Sequence, residues 1–116
     1  MRILSILTLS ISCGWMLVAA APTSAAAEDS PAWKTCIAET TAPDGKVTAC
    51  TEVIDVKSET GNRLAAAYCN RGHGLTEKRE LDRALADLDE AIRIAPATAC
   101  AYTHRGRVYA FQRDLD

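Results

Sequence analysis

Two stretches decide the fold: residues 65–82, AAAYCNRGHGLTEKRELD, and residues 99–116, ACAYTHRGRVYAFQRDLD. Laid over one another at a shift of 34, they agree at eight of 18 positions: Ala65/Ala99, Ala67/Ala101, Tyr68/Tyr102, Arg71/Arg105, Gly72/Gly106, Arg79/Arg113, Leu81/Leu115 and Asp82/Asp116. Unrelated stretches agree at about one position in that many, and a fixed period of this length signals stacked supersecondary units. The unit reads as two helices. In the first, Leu64, Ala67, Tyr68, Arg71, Gly72 and Leu75 share a side, and Gly72 allows close contact there. A polar break follows at Glu77-Lys78-Arg79-Glu80. In the second, Leu81, Ala84, Leu85, Leu88, Ala91, Ile92 and Ala95 keep the spacing of an amphipathic helix. Pro96 stops it, because its missing N–H and its ring cannot continue the hydrogen-bond ladder.

Working outward from the repeat, residues 30–61 show a shorter, broken pattern. Ser30-Pro31 and Ala42-Pro43-Asp44-Gly45 are turn signals, with Pro presetting φ and Gly accepting positive values. They bracket two helical candidates, Ala32–Glu39 and Val47–Val56. In the second, Val47, Cys50, Val53 and Ile54 fall on one face. Ser58-Glu59-Thr60-Gly61-Asn62 reads as a connector ending in a cap for the next helix.

The first 27 residues read as a leader. Met1-Arg2 gives a short positive start, and Ile3 to Ala21 run without a charge. Small residues then lead to the first acids, Glu28 and Asp29. This is the layout of a secretory signal peptide with cleavage between Ala25 and Glu28. An uncleaved anchor is the alternative, since nineteen uncharged residues nearly span a bilayer. The Ala-rich exit and the lack of a flanking basic stop favour cleavage, so membrane contact is expected only through the transient leader. Cys13 does not read as a lipidation site, because Trp15-Met16-Leu17-Val18 continues the apolar run beyond it.

Composition narrows the function classes. Thirteen Lys+Arg stand against 15 Asp+Glu and two His, for a formal charge of −2, which argues against nucleic acid as a partner. One Phe, two Trp and three Tyr in an alanine-rich chain suit helices better than a β-sandwich. A chain of 116 residues has room for one domain. Residues 28–116 form a small unit that buries only about 60–65% of its unfolded surface, so it needs further ties. Its four cysteines, Cys36, Cys50, Cys69 and Cys100, suit an exported, periplasmic or secreted protein with two disulfides. Cys36 and Cys50 enclose 13 residues and form no Cys-x-x-Cys redox motif, so a structural bridge is expected between them. Closing that loop contributes on the order of 3 kcal/mol in the chain-entropy model.

A 34-residue helix–turn–helix unit with this pattern resembles the tetratricopeptide repeat (TPR) family, in an exported bacterial form. Tyr68 falls at the family's first aromatic position and Gly72 at its small packing position. Ala84, Leu88, Ala91 and Pro96 fall at the signature positions of the second helix. Arg71 departs from the usual leucine and is expected to snorkel; Leu75 and Leu88 replace aromatics. The resemblance implies an all-α solenoid of antiparallel helix pairs, with a degenerate leading segment over 28–64. A TPR-like repeat follows over 65–98, and the first helix of a second over 99–116. The pattern stops where the next helix should begin. It therefore reads as part of a longer product, the alternatives being a capping last helix or self-association through an uncapped one.

No catalytic constellation emerges. Gly72-His73-Gly74 is a packing feature inside a helix, not a phosphate loop. Asp87, Asp89, Glu90 and the acids at Glu77 and Glu80 read as solvated charge. The one constellation above background is Cys69-x3-His73 with Cys100-x3-His104, each an i, i+4 pair on one helix face. The resemblance places both on first helices that line a concave groove, but without the Lys and Asn of the family's carboxylate clamp. Its implied function is non-catalytic, with no cofactor: the groove holds a partner peptide or helix. Helical spacing from Tyr68 and Gly72 nominates Cys69, His73, Thr76, Glu77, Cys100, Thr103 and Arg107 as the partner-binding side chains. The alternative is a small thiol or metal protein using Cys69, His73, Cys100 and His104, whose two thiols and two imidazoles suit a zinc-like ion. Whether Cys69 and Cys100 pair is left open by the sequence.

Overall fold

The structure, a computed structural model, describes residues 30–116; the expected leader over 1–27 lies outside the described residues. The described chain is all-helical: α1 Pro31–Ile37, α2 Pro43–Asp55, α3 Gly61–Glu77, α4 Leu81–Ile94 and α5 Ala99–Leu115. Among the described residues no helix is long and apolar enough to cross a membrane.

Local chemistry explains most of the boundaries. Ser30 caps α1, its Oγ accepting from the Trp33 N–H at 3.0 Å, and Pro31 follows in the first turn, where its missing N–H costs nothing. The helix ends at Ile37, two residues before the expected Glu39, because Ala38 turns to extended backbone. α2 starts four residues earlier than expected. The Pro43-Asp44-Gly45 turn signal is in fact the first turn of the helix: Pro43 presets φ, and Asp44 sits at the positive end of the dipole. α3 likewise begins at Gly61 rather than Leu64, with Gly61 at φ +55° swinging the connector into the helix.

The α3–α4 turn is a Schellman closure. The Glu80 N–H reaches back to the Leu75 carbonyl at 2.9 Å, and the Arg79 N–H to that of Thr76 at 3.0 Å. Arg79 takes the left-handed position, φ 63°, that glycine usually fills, and its guanidinium lies 3.8 Å from the Phe111 ring centroid on α5. Pro96 ends α4 as the sequence implies, with Ala95 already extended.

Each helix packs on the next, and α3 additionally touches α1 and α5, so it contacts all four others. The main core fills the space between α3, α4 and α5 with Ala65, Cys69, Leu75, Ala84, Leu88, Ala91, Ala101 and Val108. A second cluster, around Trp33, Cys36, Ala49, Cys50, Val53 and Ala67, joins α1 and α2 to α3. Gly72 marks the tightest approach: a Cβ there would stand 2.9 Å from Leu88 Cγ and Cδ2 and 3.3 Å from the Ala84 carbonyl oxygen. A Cβ on its repeat counterpart, Gly106, would meet no described atom within 4 Å beyond the neighbouring backbone of its own helix.

One charge reading is corrected. Asp87 is not solvated; it is 7% exposed and grips Arg71 through two parallel bonds, Nε–Oδ2 at 2.7 Å and Nη2–Oδ1 at 2.8 Å. Arg71 Nη1 also donates to Thr51 Oγ1 at 3.3 Å, so one guanidinium ties α3 to both α4 and α2. Asp87 lies three residues after Ala84 and four before Ala91, both buried, so its phase is that of the apolar stripe and not of the exposed side, and Arg71 supplies its counter-charge there. Asp89 and Glu90 do face outward, pairing with Arg105 and Arg93.

Two stability predictions follow from this packing. In urea titrations, Gly72→Ala should cost about 1–3 kcal/mol by forcing Leu88 aside. Gly106→Ala, with open space and an ordinary helical backbone, should instead stabilise by about 0.4–1 kcal/mol. Asp87→Ala should cost about 1.5–3 kcal/mol by stranding the Arg71 charge. A double replacement, Arg71→Leu with Asp87→Leu, should recover most of that loss, since a partly buried ion pair is often replaceable by apolar volume.

Candidate functional site

The site is the seam where α3 and α5 meet. Cys69 lies against Cys100 at disulfide distance, Cα–Cα 6.5 Å, and one turn on His73 stacks on His104 with ring centroids 4.3 Å apart and planes inclined by 13°. Both pairs are 31 residues apart, so the two helices run parallel across the seam in a single register. The other pair, Cys36 and Cys50, also sits at disulfide distance, Cα–Cα 4.7 Å, joining α1 to α2 as expected. Two such pairs are more typical of an oxidising location than of the cytoplasm.

The seven nominated binding residues divide. His73 is half-buried, while Glu77, Cys100, Thr103 and Arg107 are exposed along the open side of the seam. Cys69, 1% exposed, is closed over by α5. Thr76 is fully buried, its Oγ1 donating to the Gly72 carbonyl at 2.7 Å. The helical phase explains Thr76: it lies one turn beyond Gly72, on the face that packs inward. Neither Cys69 nor Thr76 presents a side chain to a partner. Tyr68 is partly buried against the main core, on the inner side as expected.

Sequence reasoning missed Lys46. It belongs to α2, outside the repeat, yet is 2% exposed and lies beside α3, its Cβ 3.6 Å from where a Cβ on Gly74 would stand. Its position one residue before the Val47-Cys50-Val53-Ile54 face gave no signal, because a lysine at the start of a helix reads as solvated. The positive charges of Lys46 and Arg107 both act on the imidazole pair. Burial pushes His104 down to about 4, with further depression from His73, Arg107 and Lys46. Burial also lowers His73, opposed by Glu77, whose carboxylate is 3.5 Å from Nε2. His104 Nδ1 is buried without a hydrogen-bond partner among the described residues.

For the thiol or metal alternative the geometry is unfavourable. The cysteine sulfurs are joined to one another, and stacked imidazoles direct their in-plane lone pairs along parallel planes rather than to one point. Among the described residues no group of three or more His, Cys, Asp or Glu is placed to hold a metal ion.

No protein-family model matches the chain, and no curated protein or solved structure matches it significantly.

The histidine pair sets a pH dependence. An unfolded chain takes up the His104 proton near pH 6.5, whereas the folded chain takes it up only near 4. The unfolded state therefore binds more protons between these limits, and stability falls as pH drops through that window. Urea midpoints measured from pH 7 to 5 should decline, and His104→Gln should flatten the slope even where it shifts the midpoint itself.

Proposed function

We propose that residues 28–116 are the exported part of a non-catalytic interaction protein, a short TPR-like array whose α3–α5 face holds a peptide or helix of a partner protein. The observation that carries this reading is the polar surface left along a covalently tied pair of parallel helices. His73, Glu77, Thr103 and Arg107 line it, with no large apolar side chain among them. Three further features support it. The sequence repeats with a 34-residue period; first helices touch first helices, α1 with α3 and α3 with α5; and α2 and α4 do not meet. That arrangement builds one continuous layer of first helices, which in stacked repeats is the surface that receives ligands. The cysteine pairs support export, together with the leader before Glu28, whose Ile3–Ala21 run carries no charge.

A face with singly charged and small polar groups and no aromatic anchor gives micromolar rather than nanomolar affinity. Peptides selected on the disulfide-intact protein, then measured by calorimetry, test the reading. His73→Ala with Arg107→Ala should weaken binding about tenfold or more while helix content is unchanged. Glu90→Ala with Arg93→Ala, on the outside of α4, should change neither. Loss of binding in the α4 pair with retention in the seam pair would overturn the assignment of the face.

A further inference from the structure

We propose that the side of α5 carrying Tyr102, Arg105, Gly106 and Tyr109 is a docking site for one amphipathic helix of a partner protein. The helix it fits carries a carboxylate for Arg105 and, one residue later, a leucine-sized side chain for Gly106. This side is distinct from the seam. Tyr102, Gly106 and Tyr109 share one face by steps of four and three, and Cys100, Thr103 and Arg107 share another. The proposal therefore stands or falls independently of the seam reading above.

The repeat shows what such a side receives. On α3, Gly72 lets Leu88 of α4 settle against the backbone, and Arg71 grips Asp87 through Nε and Nη2. Tyr68 and Leu75 flank them and belong to the same core. The counterparts 34 residues on are Gly106, Arg105, Tyr102 and Tyr109. Half of the arrangement is reproduced there. In both units the guanidinium carbon lies 5.4 Å from its tyrosine ring centroid. Each arginine also sends Nη1 back to the preceding second helix, Arg71 to Thr51 of α2 at 3.3 Å and Arg105 to Asp89 of α4 at 3.0 Å.

The forward half has nothing to meet. Among the described residues, Nε and Nη2 of Arg105 reach no acceptor, and α5 touches α3 and α4 alone. Leu75 is 1% exposed, whereas its counterpart Tyr109 is 50% exposed, and Tyr102 is 46% exposed. Gly106 is bare where Gly72 is covered.

The chemistry of the occupant follows from these groups. A guanidinium with Nε and Nη2 both open selects a planar carboxylate, which can accept both bonds at once. The two tyrosines offer rigid, amphipathic contact area, and the Tyr102 ring is already held by its hydroxyl donating to the Pro96 carbonyl at 2.9 Å. A helix with the α4 pattern, small at Ala84, acidic at Asp87, leucine at Leu88 and small at Ala91, satisfies all of them. A second copy of this chain does not supply one. Its helices with such stripes, α2 and α4, are buried against their own neighbours, and the one acid of α5, Asp114, lies in the last turn.

The probe is a synthetic peptide with the sequence of residues 81–96, held helical by a lactam between Asp82 and Ala86→Lys, both exposed positions of α4. It is titrated into the isotopically labelled, disulfide-intact protein while amide resonances are followed. Saturable shifts centred on Tyr102, Gly106 and Tyr109 are expected. Asp87→Asn in the peptide and Arg105→Gln in the protein should each weaken binding about tenfold. Combined, they should cost little more than either alone, because both remove the same charge-assisted contact. Gly106→Leu, on an ordinary helical backbone, should abolish the shifts while helix content is unchanged. Absence of saturable shifts, shifts centred on His73, Thr103 and Arg107, or equal affinity for the Asp87→Asn peptide would overturn the proposal. A dimer in sedimentation of the peptide-free protein, with the same α5 amides shifting with concentration, would overturn it in favour of a second copy.

Discussion

The rest of the structure depends on how closely α3 can be approached. Four helices pack against it, and a 17-residue helix has room for four neighbours only if its side chains are small. Between Leu64 and Leu75 the chain supplies Ala65, Ala66, Ala67, Cys69, Gly72 and Gly74, with Tyr68 the single large apolar group. Gly72 lets Leu88 of α4 settle against the α3 backbone, and Gly74 does the same for Val47 of α2, whose Cγ2 would be 3.0 Å from an added Cβ. Close approach maximises dispersion contact per unit of apolar area. It also limits how much hydrophobic volume the centre of the molecule holds, and that shortfall shapes everything else.

What apolar volume does not supply, specific ties do. The cysteine pairs join α1 to α2 and α3 to α5; in the chain-entropy model each contributes roughly 3–4 kcal/mol through the unfolded state. Arg71 adds a bidentate bond to Asp87 and a third contact to Thr51, fixing α2, α3 and α4 together. Arg63 lies 4.0 Å from the Trp33 ring centroid, Arg79 lies over Phe111, and Arg105 reaches Asp89. Arginine serves in each case because its planar head pairs with a carboxylate or lies over a ring while its stem covers apolar surface. The helices are therefore held laterally by guanidinium groups in addition to the two core clusters.

The repeat region was legible because periodicity reports directly on burial. Leu81, Ala84, Leu88 and Ala91 are buried as their spacing requires, and the turn at 78–80 and the stop at Pro96 fall where the polar break and the proline put them. The leading segment was legible in outline only. Pro43 carries the same residue-level signal for a turn and for a first helical turn, and only packing of Val47 and Pro43 against Gly74 distinguishes them. Asp87 and Lys46 were not legible. A charged residue in a helix reads as solvated unless its counter-charge or its neighbours are known, and Asp87 is bound to a residue 16 positions away on another helix. Thr76 shows the finer limit: it lies one turn from Gly72 and two turns from Cys69, so it shares the phase of residues that other helices cover, and spacing from Tyr68 and Gly72 did not reveal that cover.

The seam differs in kind from the repeat that contains it. Residues matched at the 34-residue period include Ala65/Ala99, Tyr68/Tyr102 and Gly72/Gly106, and Gly72 faces Leu88 and Ala84 on the second helix of its own unit. Residues that meet across the seam are 31 apart, about one helical turn short of the period. Cys69 and His73 therefore do not face their own counterparts, which are Thr103 and Arg107, and Cys100 and His104 have counterparts in Ala66 and Asn70. Repetition alone cannot produce such a site: a stacking unit copied without change would place neither a second cysteine nor a second imidazole at these positions. The disulfide-distance pair fixes the register, the register brings the two rings together, and the rings lie where Lys46 from the non-repeating α2 can act on them. The periodic part of the sequence builds the scaffold, while the chemistry of the seam resides in the residues that break the period.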